Sequence, residues 1–168
     1  ARFFARVGGG SPKEMGQIFI EAQQFKGTSL IEILQNCVIF NDGCFNHLTD
    51  KDVKEDKQIY LEHGKPMIFG KNRDKGLLLK GLKLEVVTIG ENGVTQEDLL
   101  VHNAKEKDPT LHFMLVRMEY PLATGVIRSF DDVTLEERED ALTAQVKANS
   151  SFTKTDDLFF SGETYEVK

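Results

Sequence analysis

Ala1-Arg2-Phe3-Phe4-Ala5-Arg6-Val7-Gly8-Gly9-Gly10-Ser11-Pro12-Lys13-Glu14, together with the twenty residues that follow it to Leu34, decides the fold class. Phe3, Phe4, Ala5 and Val7 make an apolar strand with Arg2 and Arg6 at its margins, and three glycines then turn the chain. Ser11 stands where a helix N-cap belongs, Pro12 at the first helical position, and Glu14 where a capping box closes. Met15, Ile18, Phe19, Ala22 and Phe25 recur every three or four residues, so one face of this helix is buried. Gly27 ends it where a left-handed residue is easiest. Ser29-Leu30-Ile31-Glu32-Ile33-Leu34 is almost continuously apolar, the pattern of a strand covered on both faces. Strand, helix and strand in this short compass predict a parallel βαβ unit and α/β architecture.

Outward from that unit, Gln35 to Cys44 is a loop beyond the end of a parallel strand, the place where ligands of open α/β sheets collect. Asp50 to Gln58 is polar and reads as a solvated helix or connector. Leu77-Leu78-Leu79 and the alternating Leu82-Lys83-Leu84-Glu85-Val86 predict two short strands. Thr95 to Asp98 repeats the capping pattern, and Asp108-Pro109 opens a helix with Leu111, Met114, Leu115 and Met118 on one side, stopped by Tyr120-Pro121. Val126-Ile127-Arg128 is a short extended piece. Thr134 and Glu137 cap a last helix whose seam is Leu135, Leu142 and Val146. The tail from Phe152 to Lys168 carries Leu158, Phe159, Phe160 and Tyr165 among acids, too many large apolar groups for a solvated end, so it is expected to dock on this chain or a neighbour.

The 168 residues make one domain, or one domain with an appendage. A net charge of −6 argues against a nucleic-acid binder, which needs a concentrated positive field. A hydrophobic content of 40% argues against wholesale disorder, and no apolar run reaches the roughly 20 residues of a membrane helix. Two cysteines, Cys37 and Cys44, cannot form a disulfide framework and point to a reducing compartment.

The residues that could carry chemistry are few. Gly8-Gly9-Gly10 before a capped helix could cradle an anion, but neither the Walker nor the dinucleotide pattern follows, and it reads as a tight turn. Cys44 and His47 have the spacing of a zinc half-site, but Cys37, His63, His102 and His112 supply no matching pair. Cys37 can be written with His47 and Asp50 as nucleophile, base and orienter, although no helix start directly follows it to lower its pKa. By spacing alone Cys37 reads as a buried thiol.

Ile33-Leu34-Gln35-Asn36-Cys37-Val38-Ile39-Phe40-Asn41-Asp42 resembles the C-terminal half of the beta subunit of 2-oxoacid:ferredoxin oxidoreductases, most of all the 2-oxoglutarate type. The likeness continues through Tyr60 to Gly70, Gly81 to Val87, Asp98 to His102, and Pro121 to Arg128. It implies an enzyme that binds thiamine diphosphate and magnesium between subunits and oxidatively decarboxylates a 2-oxoacid. Coenzyme A takes the acyl group, and electrons pass through a 4Fe–4S cluster to ferredoxin. The family's cluster is held by an early Cys-x-x-Cys pair, a third cysteine and a late fourth, and Cys37 falls on that fourth position.

This sequence has neither the Cys-x-x-Cys nor the Gly-Asp-Gly that holds magnesium in the family. It therefore reads as the C-terminal part of a longer cytoplasmic subunit that should not turn over alone. Residues 1–45 would finish a parallel-sheet domain that binds thiamine diphosphate. Residues 46–168 would be the C-terminal region, with its tail packed on that domain and on the alpha subunit. The rival reading is a non-catalytic interaction module, with the aromatic tail as its working surface.

Overall fold

A computed structural model of the chain describes residues 1–167, so Lys168, the last residue of the predicted docking tail, lies outside the described residues. The chain divides into two compact units, Ala1–Asp132 and Val133–Lys168.

In the first unit, β1 (Phe3–Gly8), α1 (Pro12–Gln24) and β2 (Ser29–Leu34) form the expected parallel βαβ unit, with Phe3 level with Ser29 and Gly8 with Leu34. The sheet that contains it is mixed, which corrects the expectation of a parallel one. Its order is β2-β1-β7-β3, where β3 is Gln58–Leu61 and β7 is Leu122–Ser129. β7 runs antiparallel to β1 and parallel to β3. The pairing of β1 with β7 shifts register between Phe4 and Ala5, a bulge that lets Arg6 stand opposite Gly125. Gly125 has φ +89°, and a Cβ there would lie 2.6 Å from the Leu61 carbonyl oxygen, so only glycine fits.

The helix start differs from its prediction. Pro12 is at the first helical position, but Ser11 makes no side-chain cap. Lys54 takes both capping groups instead, its Nζ donating to Ser11 Oγ at 2.6 Å and to Glu14 Oε1 at 3.0 Å. A short helix α2 (Asn46–Thr49) precedes the polar connector, and α3 (Lys54–Lys57) within it brings that lysine up.

Ile18 of α1 seals against Phe3, Ala5 and Val7, with Met15, Ala22 and Phe25 packed around them, whereas Phe19 is left half exposed. A second core joins Ile59, Leu61, Ala123 and Ile127 of the sheet to Met67, Phe69, Leu77 and Leu115. These last come from β4 (Ile68–Phe69), β5 (Lys75–Lys80) and α4 (Thr110–Arg117), or from residues beside them. β4 and β5 form a three-stranded antiparallel sheet with β6 (Lys83–Thr88).

β2 corrects a further expectation: it is an edge strand, and Leu30 and Ile33 are exposed rather than covered. In the second unit, α5 (Leu135–Asn149) has the predicted box, Thr134 Oγ1 accepting from the Glu137 amide and Glu137 Oε2 from the Thr134 amide. A short α6 (Thr155–Phe159) follows. No helix is long and apolar enough to cross a membrane among the described residues.

Candidate functional site

The loop that leaves β2 is closed on itself by its own polar side chains. Asn36 Nδ2 donates to Asp42 Oδ1 at 2.7 Å, and Asn36 Oδ1 accepts from the Gly43 amide at 2.8 Å. The Asn41 amide reaches the Cys37 carbonyl at 2.9 Å, forming an isolated bridge between those residues. Gly43, at φ +74°, turns the chain into the segment that leads to α2. An asparagine six residues before an aspartate thus replaces secondary structure as the source of order.

Val38, Ile39 and Phe40 stand at the tip of this closed loop, and the last is 89% exposed. Cys37 beside them is exposed too, so the reading of a buried thiol is overturned. Its thiol is held below the ordinary value because the Phe40 amide, then those of Ile39 and Asn41, hydrogen-bond its sulfur. Backbone amides therefore do here what a helix start does elsewhere. Neither His47 nor Asp50 contributes to that shift, and no hydrogen bond joins either to Cys37 among the described residues. The nucleophile–base–orienter arrangement is not assembled.

Between the glycine turn after β1 and this loop lies a cavity of about 600 Å³, lined by Gly9, Gly10, Met15, Asn36, Val38 and Phe45. It sits beyond the carboxyl ends of the two parallel strands, where the topology places ligands. The Gly9 amide donates to the Leu34 carbonyl at 2.9 Å, and a Cβ on Gly9 would come within 3.3 Å of the same oxygen. The glycines thus serve close approach of the two strand ends.

The histidines lie apart from this loop in role. His102 is buried with Nε2 donating to the Val126 carbonyl at 2.9 Å, and its Nδ1 has no partner. Burial, more than the neighbouring His112 and His63, depresses its pKa to about 4. Arg128 donates to His112 Nδ1 at 2.8 Å, so His112 Nε2 carries the proton that goes to the Asn103 carbonyl. Both rings are structural. His63 lines a separate polar cavity of about 410 Å³ with Tyr60, Glu62 and Lys105. No group of three or more His, Cys, Asp or Glu side chains that could hold a metal ion occurs among the described residues, and Cys44 and His47 gain no further ligand.

Sequence reasoning missed Arg6. It is 7% exposed, not marginal, and Nε donates to Glu32 Oε2 at 2.7 Å while the other nitrogens reach the Val116 and Ala123 carbonyls. The signal was available: in the βαβ register Arg6 lies directly opposite Glu32.

The chain is 33% identical over 149 residues to the 2-oxoglutarate oxidoreductase subunit KorB of Mycobacterium tuberculosis. The matched stretch covers 88% of this chain and 39% of that protein, so the chain spans about two fifths of the length of this relative. No family model matches the chain. No solved structure matches it.

Proposed function

The chain belongs to the family of 2-oxoacid:ferredoxin oxidoreductase beta subunits, and we propose that it serves the oxidative decarboxylation of a 2-oxoacid, of which 2-oxoglutarate is the first candidate. On this reading the products are an acyl-coenzyme A and carbon dioxide, with ferredoxin as electron acceptor and an alpha subunit as partner, in the cytoplasm. Residues 1–45 finish the domain for thiamine diphosphate and magnesium, and residues 46–168 form the C-terminal region.

The observation that carries the reading is the state of Cys37: an exposed thiol, biased toward the thiolate, on a loop fixed by Asn36. A thiolate is the ligand that iron–sulfur clusters take. A 4Fe–4S cluster supplies one-electron transfer when bound. Cys37 fits it as one ligand, and the other three have to come from outside the described residues. The chain's own contribution is positional. Asn36 and Asp42 hold the loop, the amides of Ile39 to Asn41 favour the thiolate, and the exposed Val38, Ile39 and Phe40 would form the apolar surround of a cluster bound there. No group of His, Cys, Asp or Glu that could hold magnesium is present among the described residues.

The test is iron and acid-labile sulfide per beta chain, with electron paramagnetic resonance after reduction, in the intact complex carrying Cys37 or Cys37→Ala. Loss or alteration of the signal, with slower electron transfer from 2-oxoacid to ferredoxin, supports the ligand assignment. Unchanged iron, sulfide, spectrum and rate overturn it.

A further inference from the structure

From Ile33 to Asp50 the sequence contains no Lys or Arg, and its only carboxylates are Asp42 and Asp50. The Cys37 sulfur therefore receives no cationic side chain from its own loop. What faces it instead are backbone N–H dipoles, those of Phe40, Ile39 and Asn41.

All three donors lie inside one closure. Asn36 Nδ2 donates to Asp42 Oδ1 at 2.7 Å and Asn36 Oδ1 accepts from the Gly43 amide at 2.8 Å, so a single side chain ties residue 36 to residues 42 and 43. Within that span the Asn41 amide donates to the Cys37 carbonyl at 2.9 Å and closes a turn around residues 38–40. Successive amides of a turn that converge on one point form a concavity suited to negative charge. Packing does not hold this one, because Val38, Ile39 and Phe40 are all exposed. In a loop with neither a helix nor a strand of its own, the Asn36 clamp is what fixes the direction of these N–H groups.

Reduction of an iron–sulfur cluster adds one electron and one negative charge and breaks no bond. In the proposed reaction that electron comes from the 2-oxoacid and leaves to ferredoxin. Amides that hydrogen-bond a ligand sulfur stabilise the added charge, so hydrogen bonding there is one of the levers that set the potential. Greater access of water to the cluster favours the more highly charged reduced form as well, so a loosened loop and a lost amide act on the potential in opposite directions.

We infer that Asn36 is a positioning residue for the cluster ligand. By clamping Asp42 and the Gly43 amide it holds the amides of residues 39–41 on Cys37 Sγ, and it thereby keeps the reduction potential of a cluster bound there above that of the same cluster on an unclamped loop. This step rests on the assignment of Cys37 as a ligand and adds to it a residue that touches neither iron nor the ligand sulfur.

The experiment is a redox titration followed by electron paramagnetic resonance, with iron and acid-labile sulfide counted, on the intact complex. Asn36→Ala and Asp42→Asn are compared with the unaltered beta subunit, and Cys37→Ala identifies the signal that belongs to this site. Asn36 and Asp42 are both exposed, so neither substitution opens a core. Asn36→Ala breaks both arms of the clamp, and the potential should fall with iron retained. Asp42→Asn keeps an acceptor for Asn36 Nδ2 while removing a carboxylate, so the potential should stay or rise. A potential that Asn36→Ala leaves unchanged or raises overturns the inference while the ligand assignment stands. Loss of iron from Asn36→Ala makes the clamp a condition of cluster binding rather than of its potential, and overturns the inference too. A signal that survives Cys37→Ala unaltered removes the ligand assignment itself, and the inference with it.

Discussion

β7 is paired along both of its edges, with β1 on one side and β3 on the other, while β2 at the end of the same sheet is paired along one. Around β7 the chain has put its difficult groups inside: a buried arginine opposite Gly125, a neutral histidine against the Val126 carbonyl, and an arginine fixing a second histidine. Around β2 it has left a thiol and three large apolar side chains in water. Polar groups can be buried at little cost only where each finds its hydrogen-bond partner, and around β7 the chain supplies those partners itself. An accessible thiolate survives only where nothing covers it. The closed side carries stability, and the open side carries the residue proposed as a cluster ligand.

The largest effect is expected where the closed side has no slack. Gly125→Ala adds a Cβ 2.6 Å from the Leu61 carbonyl oxygen at φ +89°, so β3 and β7 cannot keep their spacing. Urea denaturation should show a loss of about 3 kcal/mol or more, the upper range for a strained and overpacked site. A loss under about 1 kcal/mol would mean that β3 moves freely against β7, and the contrast with β2 would lose its basis.

Arg6→Met comes next. It removes a cation from the floor of the sheet and strands the Val116 and Ala123 carbonyls, with an expected cost of about 2–3 kcal/mol. Glu32→Gln at the other end of the same ion pair should cost under about 1 kcal/mol, because that side chain is 44% exposed and water replaces its partner. Equal losses would show that the pair, rather than the burial of Arg6, is what the sheet depends on.

The parts that were legible from the sequence are those with local causes. The βαβ unit declared itself through the spacing of Met15, Ile18, Ala22 and Phe25 between two apolar runs, and the last helix through Thr134 and Glu137. The strand β7 was seen only at Val126 to Arg128, because Pro121, Ala123 and Gly125 hide its first half from any pattern of β-branched residues. Its place beside β1 depends on contacts more than a hundred residues apart, which no periodicity records. The cap expected from Ser11 and Glu14 failed for the same reason, since Lys54 competes from forty residues away. Of the site, position and residue type were readable but exposure was not. Apolar flanks around Cys37 look the same in a core and on an open tip.

Acid offers a further test of the closed side through His102. His102 stays neutral in the fold down to about pH 4, whereas its ordinary value is 6.5, so between these the unfolded chain binds more protons. Stability therefore falls as pH drops from about 6.5 toward 4, by roughly 3 kcal/mol. His112, depressed by burial as well, adds to the same limb. His102→Gln keeps a donor for the Val126 carbonyl and should flatten the acid limb of a melting-temperature profile. A slope unchanged by that substitution would place the acid sensitivity elsewhere.

The smallest stability effect belongs to Cys37, the proposed cluster ligand. Cys37→Ala should shift the denaturation midpoint by less than about 0.5 kcal/mol, as an exposed loop position with no packing to lose. Its chemistry should respond instead to the loop. Alkylation of Cys37 by iodoacetamide, followed against pH, should titrate below the ordinary 9.0, because three backbone amides favour the thiolate. Asn36→Ala releases both Asp42 and the Gly43 amide, so those amides lose their alignment and the midpoint should rise. A midpoint that stays low in Asn36→Ala would show that residues 38–41 hold their turn without the clamp. A midpoint that is ordinary in the unaltered protein would remove the distinction between Cys37 and any exposed thiol, and with it the chemical half of the contrast between β2 and β7.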